Sequence, residues 1–268
     1  MHYAISKDGT KIAYDQTGKG PALILVSGAF GYRKFAGVAK LAALLSGRFT
    51  VYNYDRRGRG DSGDTKPYAI EREVEDLEAV IHEAGGPAYV WGLSSGAVLC
   101  MQAAARGVQM KKLVLHEPPF VVEKADRIVP EEFARQVTEL IADGKRAEAV
   151  NYFMTKGMGA PAFVVRLMRL MPGVWTSLTG LAHTLPYDAA LLDGYMEGKP
   201  LSPAMWEGVA IPVLVLEGTE SPASLRRGAQ AVAAVLPNAR LVSKKGLGHT
   251  KKLNAAMIAS ELEAFLQA

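Results

Sequence analysis

A chain of 268 residues with 49% hydrophobic and 22% charged residues is ordinary for a globular protein with a sizeable core, whether as one large α/β domain or two small ones. No apolar stretch approaches the roughly 20 residues needed to cross a bilayer. The net charge of +4 is dispersed: the densest basic cluster is Arg56-Arg57-Gly58-Arg59, with short pairs at Lys244-Lys245 and Lys251-Lys252, whereas a nucleic-acid binder calls for a longer basic stripe with interleaved aromatics.

The first elements read as a hairpin, His2–Ile5 and Lys11–Gln16 around the turn Lys7-Asp8-Gly9. The opening residues lack the basic-then-apolar layout of a signal peptide, so the default expectation is a cytoplasmic protein. Ala22–Val26 and Thr50–Tyr54 are continuous apolar runs, the mark of strands buried on both faces. Ile70, Val74, Leu77 and Ile81 then recur at helical spacing until Gly85-Gly86 stops the helix. Ala88–Trp91 and Leu113–Leu115 are further buried strands, separated by a helix-forming stretch from Ala97 to Ala105 that carries the single cysteine. Cys100 alone excludes an intrachain disulfide and reads as a small buried thiol.

From Pro118 to about Gly208 no good strand occurs. Pro130–Asp143, Arg146–Lys156 and Ala162–Met171 are helical instead, the first with Phe133, Val137, Leu140 and Ile141 on one face. Strand character returns at Val213–Leu216 and Ala239–Val242. A last helix follows, with Asn254 as N-cap and Ile258, Leu262 and Phe265 on its inner face. Alternating strands and helices imply an α/β fold with a mostly parallel, doubly wound sheet. Right-handed crossovers place functional loops at the carboxyl ends of its strands. The expected organisation is a core of residues 1–117 and 209–268 interrupted by a helical cap at 118–208, inserted within the same domain.

Gly92-Leu93-Ser94-Ser95-Gly96 lies between the strand Ala88–Trp91 and the helix from Ala97. A G-x-S-x-G pentapeptide at a strand-to-helix turn suggests a nucleophile elbow that presents the Ser94 hydroxyl. Such a serine needs a base, an acid to orient the base, and donors for the oxyanion. Of five histidines, His249 lies just beyond the last strand in Gly246-Leu247-Gly248-His249, a carboxyl-end loop. His82 reads as solvated, His2 and His116 as structural, and His183 as a residue of the insertion that could line a pocket.

In these motifs the chain resembles the α/β-hydrolase family over essentially its full length. Asp55-Arg56-Arg57-Gly58-Arg59-Gly60-Asp61-Ser62 is similar to that family's D-x-R-G-x-G-x-S turn. Ser27-Gly28-Ala29-Phe30-Gly31 stands where the family has an H-G-x-x-G oxyanion loop, and Gly248-His249 closes the series. The resemblance implies Ser94 as nucleophile, His249 as general base and later acid, and the backbone N–H groups of Ala29 and Ser95 as oxyanion donors. It gives Asp55 and Arg57 structural roles and makes Ser95 a packing residue whose amide matters more than its hydroxyl. No metal or organic cofactor is implied.

Two departures stand out. Ser27 replaces the usual histidine before Gly28, and Ser221 in Gly218-Thr219-Glu220-Ser221 holds the place where the family's turn has its acid. Some family members take the acid from the preceding strand, which here runs into Glu117. Glu117 is the favoured acid, with Pro118 expected to hold its backbone extended. Glu220 is the next choice, and Glu217 or no acid at all stays open.

The expected function is a serine hydrolase of small, fairly apolar carboxylic esters or related acyl compounds, working through an acyl-enzyme. The same triad could serve cofactor-free perhydrolysis, lactone opening or C–C bond hydrolysis. A non-catalytic small-molecule binding protein on a hydrolase scaffold is the other class. The expected partner is a small-molecule substrate, with no nucleic acid and no membrane, and the oligomeric state is open.

Overall fold

The computed structural model describes residues 1–126, 129–249 and 253–268; the Lys251-Lys252 pair lies outside them. Among the described residues, eight strands form one sheet. β1 (His2–Ile5) and β2 (Lys11–Thr17) make the expected hairpin, followed by β3 (Ala22–Val26), helix α1 (Ala36–Leu45), β4 (Thr50–Tyr54), α2 (Ile70–Glu83), β5 (Ala88–Leu93), α3 (Ser95–Ala105) and β6 (Met110–His116). Then come five helices: α4 (Phe133–Ala142), α5 (Arg146–Tyr152), α6 (Ala162–Arg169), α7 (Pro172–Leu181) and α8 (Leu185–Leu192). β7 (Val213–Gly218), α9 (Ala223–Val235), β8 (Ala239–Lys244) and α10 (Ala255–Leu266) complete the chain.

The strand order is β1-β2-β4-β3-β5-β6-β7-β8. β2 pairs antiparallel with β1 and β4, and every pairing from β4 through β8 is parallel. Side chains alternate between two layers, as the period of two requires. Ile24, Val26, Leu113, Leu115, Val213 and Val215 join one core with residues of α2, α3 and α9. Leu23, Leu25, Val114, Leu214 and Leu216 join the other with residues of α1 and α10. Burial on both faces is why these strands read as unbroken apolar runs.

Register decides what meets at the carboxyl edge. Val26 pairs with Gly92, Leu93 with His116, and His116 with Leu216. The loops after β3, β5, β6 and β7 therefore start side by side. The chain goes outward from β3 to β4 and then returns to β5 on the other side, so β3 and β5 flank the topological switch point, where open α/β sheets bind ligands.

Element bounds differ from expectation mainly where polar residues end a strand. β6 extends back to Met110, its Lys112 Nζ reaching the carbonyl of Phe265 at 2.9 Å. β8 runs on to Lys244 because as a sheet-edge strand it needs no apolar continuation. α5 stops at Tyr152 and passes into a wider π-helical turn, Phe153–Gly157, where Met158 N–H donates to Phe153 O at 3.0 Å. Asn254 caps α10 as expected, accepting from Met257 N–H.

The helical stretch between β6 and β7 has its own apolar cluster, including Val137, Val150, Phe153, Val165 and Leu185, and it packs on Ala29 and Phe30 of the loop after β3. Not all its bulky side chains turn inward: Phe163, Leu167, Leu170 and Met171 are exposed. Trp206 instead joins the sheet core beside Phe120.

Candidate active site

The turn after β5 is built by close packing. A Cβ on Gly92 would lie 2.7 Å from Ala97 Cα and from Gly96 O. A Cβ on Gly96 would lie 2.5 Å from Val26 O and 2.6 Å from Ser27 O. Only glycine lets α3 start this close to β3 and β5. Between them Ser94 has φ 54 and ψ −124, a conformation that costs a non-glycine residue roughly 1–3 kcal/mol and persists where surrounding structure enforces it. Ser94 N–H donates to His116 O at 2.9 Å, and Ser94 O accepts from Ala97 N–H at 2.9 Å. The strained residue is thus held from both sides with its side chain on a cavity.

That cavity encloses about 810 Å³ out to its open mouth, and Ser94, Ser95, Ala29 and His249 all line it. The wall is otherwise mostly apolar: Phe120 and Val121 after β6, Phe133, Phe153, Met158, Leu192 and Met196 from the helical insertion, and Leu225 on α9. Among the described residues that line it there is no Asp, Glu, Lys or Arg.

Glu117 is fully buried and directly follows β6, its N–H donating to Leu216 O at 2.9 Å. Its Oε2 lies 2.5 Å from His249 Nδ1 and accepts from His249 N–H at 2.9 Å. Its Oε1 accepts from Gly218 N–H at 2.9 Å and from Ser221 Oγ in a short contact. The carboxylate's four lone-pair sites are therefore all used. Burial opposes its charge, but His249, Ser221 and the Gly218 amide outweigh that and bring its pKa down to about 2.

The expectation of an extended Glu117 backbone is corrected: φ is 47, in the left-handed region, despite the following proline. Four hydrogen bonds to the carboxylate, at both β7's end and the His249 loop, hold the residue in that conformation. The other acids lie elsewhere. Glu220 is exposed and 3.7 Å from Lys245 Nζ. Glu217 is buried but bonded to Gln230 Nε2.

His116 is fully buried next to this pair, its ring edge-on to that of His249 with centroids 6.1 Å apart. Its Nε2 lies 2.6 Å from Leu247 O, so Nε2–H donates and the ring tethers the loop that carries His249. Burial and the proximity of His249 lower its pKa to about 4. His183 does not line the cavity: its ring ties the insertion to the Gly58 carbonyl at 2.8 Å. His82 is exposed, and His2, exposed too, stacks on Tyr14.

The basic cluster after β4 turns inward. Arg56, Arg57 and Arg59 are buried. Arg57 forks onto Asp76 and reaches Asp8, and Arg56 forks onto Glu73 with two 2.7 Å bonds. Asp55 closes its own turn by accepting from Asp61 N–H and holds Arg33 N–H at 2.7 Å. Ser95, read as a packing residue whose amide matters more than its hydroxyl, is buried, and its hydroxyl donates to Asp188 Oδ1 at 2.7 Å. Asp188 carried no motif; only its place in a helix that folds back on the elbow reveals it. Ser27, in place of histidine, is buried with no partner for its hydroxyl among the described residues. Its Cβ would stand 2.7 Å from a Cβ at position 31, which is why Gly31 packs against it. Among the described residues no three His, Cys, Asp or Glu side chains converge as a metal site requires, and no helix is long and apolar enough to cross a membrane.

Known proteins share this architecture. An alpha/beta hydrolase from Sphaerobacter thermophilus DSM 20745 is 44% identical, with a TM-score of 0.90 over 99% of this chain and 100% of that one. The esterase RhEst1 from Rhodococcus sp. ECU1013 has the same fold at 20% identity, with a TM-score of 0.71 over 100% and 98% of the two chains. An uncharacterized hydrolase of Bacillus subtilis (strain 168), YraK, is 35% identical over 116 residues, 41% of this chain and 42% of that protein. The chain spans about two fifths of the length of the curated relatives it matches. A model of the alpha/beta hydrolase family matches residues 23–267, and with that coverage the chain belongs to the alpha/beta hydrolase family.

Proposed function

We propose that the protein is a serine hydrolase of small, largely apolar carboxylic esters, with Ser94, His249 and Glu117 as its triad and residues 118–208 as a cap. The observation that carries the reading is the 2.5 Å contact of His249 Nδ1 with the buried Glu117 carboxylate, on a ring that lines the same cavity as Ser94. With Nδ1–H donated to Glu117, Nε2 is left as the basic nitrogen toward the cavity. Ser94 Oγ attacks the ester carbonyl carbon while Nε2 takes the hydroxyl proton. The N–H groups of Ala29 and Ser95 stabilise the oxyanion, a contribution of about 2.7–4 kcal/mol per donor in comparable sites. Collapse of the tetrahedral adduct expels the alcohol, protonated by His249, and leaves an acyl group on Ser94. Water, deprotonated by His249, then releases the carboxylic acid and restores the serine. The cavity's aromatic and methionine wall suits an alkyl or aryl acyl group.

The test is steady-state hydrolysis of p-nitrophenyl esters of increasing acyl length, with fluorophosphonate labelling alongside. Ser94→Ala should abolish labelling and lower kcat by about 10⁴-fold or more. Glu117→Gln should cost roughly 10³–10⁴-fold in kcat, because it withdraws the charge that orients and stabilises the imidazolium. Glu220→Gln should be neutral. Loss of activity in Glu220→Gln alone would assign the acid elsewhere, and an unlabelled wild type that is folded would make the protein a binding module.

A further inference from the structure

We propose that Asp188, on α8 of the helical insertion, is a positioning residue that fixes both segments carrying the oxyanion donors. The proposal rests on the triad reading above and extends it to a residue outside every motif.

Asp188 is fully buried and binds in two directions. Oδ1 accepts from Ser95 Oγ at 2.7 Å and from Arg56 Nη1 at 2.8 Å. Oδ2 accepts from Arg59 Nη2 at 2.6 Å. Arg59 then extends the connection, its Nη1 donating to Gly28 O at 2.6 Å and to Gly31 O at 3.3 Å. Arg56 Nη1 also reaches Ser27 O at 3.3 Å. One carboxylate therefore holds Ser95 directly and, through two guanidinium groups, the Ser27–Gly31 loop on which Ala29 sits. These are the two segments to which the triad reading assigns the oxyanion donors.

Electrostatics keep the group charged. Burial works against ionisation of Asp188, but Arg59 and Arg56, with the Ser95 hydroxyl, hold its carboxyl below the usual carboxylate range. Glu73 occupies the far edge of Arg56, so two arginines face two carboxylates inside the protein. A buried ion cluster of this kind is weak as a source of stability, since desolvation offsets much of the attraction. Its directional hydrogen bonds set geometry, and oxyanion stabilisation depends on donors placed within a few tenths of an ångström. Because Asp188 comes from the insertion, docking of α8 onto the elbow completes the oxyanion site.

The experiment compares wild type with Ser95→Ala, which cuts one tether and retains the backbone N–H, and with Asp188→Asn. Readouts are kcat and KM on a p-nitrophenyl ester, and Ki for two inhibitors. One is a trifluoromethyl ketone, which forms an anionic tetrahedral adduct with Ser94; the other is the matching methyl ketone, a ground-state mimic. For Ser95→Ala we expect kcat to fall about 10-fold, the worth of one hydrogen bond to a charged group, with KM within twofold. Trifluoromethyl ketone affinity should fall in parallel and methyl ketone affinity should hold. Asp188→Asn should lower kcat about 100-fold with the same split; if it does not fold, Ser95→Ala decides alone. Unchanged kcat in Ser95→Ala, or equal loss of affinity for both ketones, would overturn the proposal and reduce Asp188 to a structural clamp. Fluorophosphonate labelling of wild-type Ser94 keeps this apart from failure of the triad reading, which would show as no labelling at all and remove both.

Discussion

At the scale of single residues, Ser221 gives the proposed triad a consequence that can be measured. It stands where the family's turn has a carboxylate, and its hydroxyl donates to Glu117 Oε1 beside the Gly218 amide. The position thus serves Glu117, the acid of the proposed triad, as a hydrogen-bond donor. A bond from a neutral donor to a buried carboxylate contributes about 1.5–3 kcal/mol. Ser221→Ala should therefore lower kcat about 10-fold and leave KM nearly unchanged, since the hydroxyl touches Glu117 and not the cavity. A full-activity Ser221→Ala enzyme would mean that Gly218 and His249 N–H suffice to hold the carboxylate. His249 and Ser94 were legible in the sequence because each sits in a short glycine-bearing turn whose conformation is local. Glu117 could only be favoured, because its neighbours Gly218, Ser221 and His249 are each about a hundred residues or more away.

At the scale of elements, the β5–elbow–α3 unit depends on contacts across β3. Gly96→Ala would put a methyl group into the carbonyls of Val26 and Ser27, which belong to a core strand and to the loop carrying Ala29. Overpacking of this kind costs about 1–3 kcal/mol even when neighbours can shift, and backbone carbonyls of a core strand shift poorly. The expected outcome is a lowered urea midpoint together with at least a 10-fold slower fluorophosphonate reaction, as the α3 N-terminus is pushed off the cavity. An unchanged midpoint would show that the contact relaxes at no cost. The strand–helix alternation was readable because buried parallel strands are unbroken apolar runs. The bounds of β6, β8 and the π-helical turn after α5 were not, since lysines at strand ends and one widened turn leave no periodic signal.

For the whole molecule, two buried titrating groups predict an acid-sensitive fold. His116 is neutral and enclosed, with a folded pKa of about 4 against 6.5 when exposed. Between those values the unfolded chain binds a proton that the folded chain does not, so stability rises with pH across that window. The His116 contribution is complete above pH 6.5 and lost on descending to pH 4, a loss of roughly 3 kcal/mol at most. Glu117 acts in the next window. Its folded pKa of about 2 lies below the 4.5 of an exposed glutamate, so its contribution is present above pH 4.5 and lost toward pH 2. Urea midpoints measured from pH 7 to 4 should fall steeply for wild type and less for His116→Gln, which retains a donor for Leu247 O. Parallel curves would assign the acid sensitivity to another group.

The amino-acid sequence by itself determined the strand order along the chain, the helical stretch between β6 and β7, and the tight turns that hold Ser94 and His249. Each depends on residues within a few positions of one another. Tertiary structure decided what those turns face. Parallel pairing of β5, β6 and β7 brings Ser94, Glu117 and Gly218 to one edge. The folding back of α8 sets Asp188 on Ser95, Arg56 and Arg59, so that the most basic stretch of the chain lies in the interior. No local pattern encodes such contacts, because a buried charge is tolerated only where distant parts of the chain supply its partners.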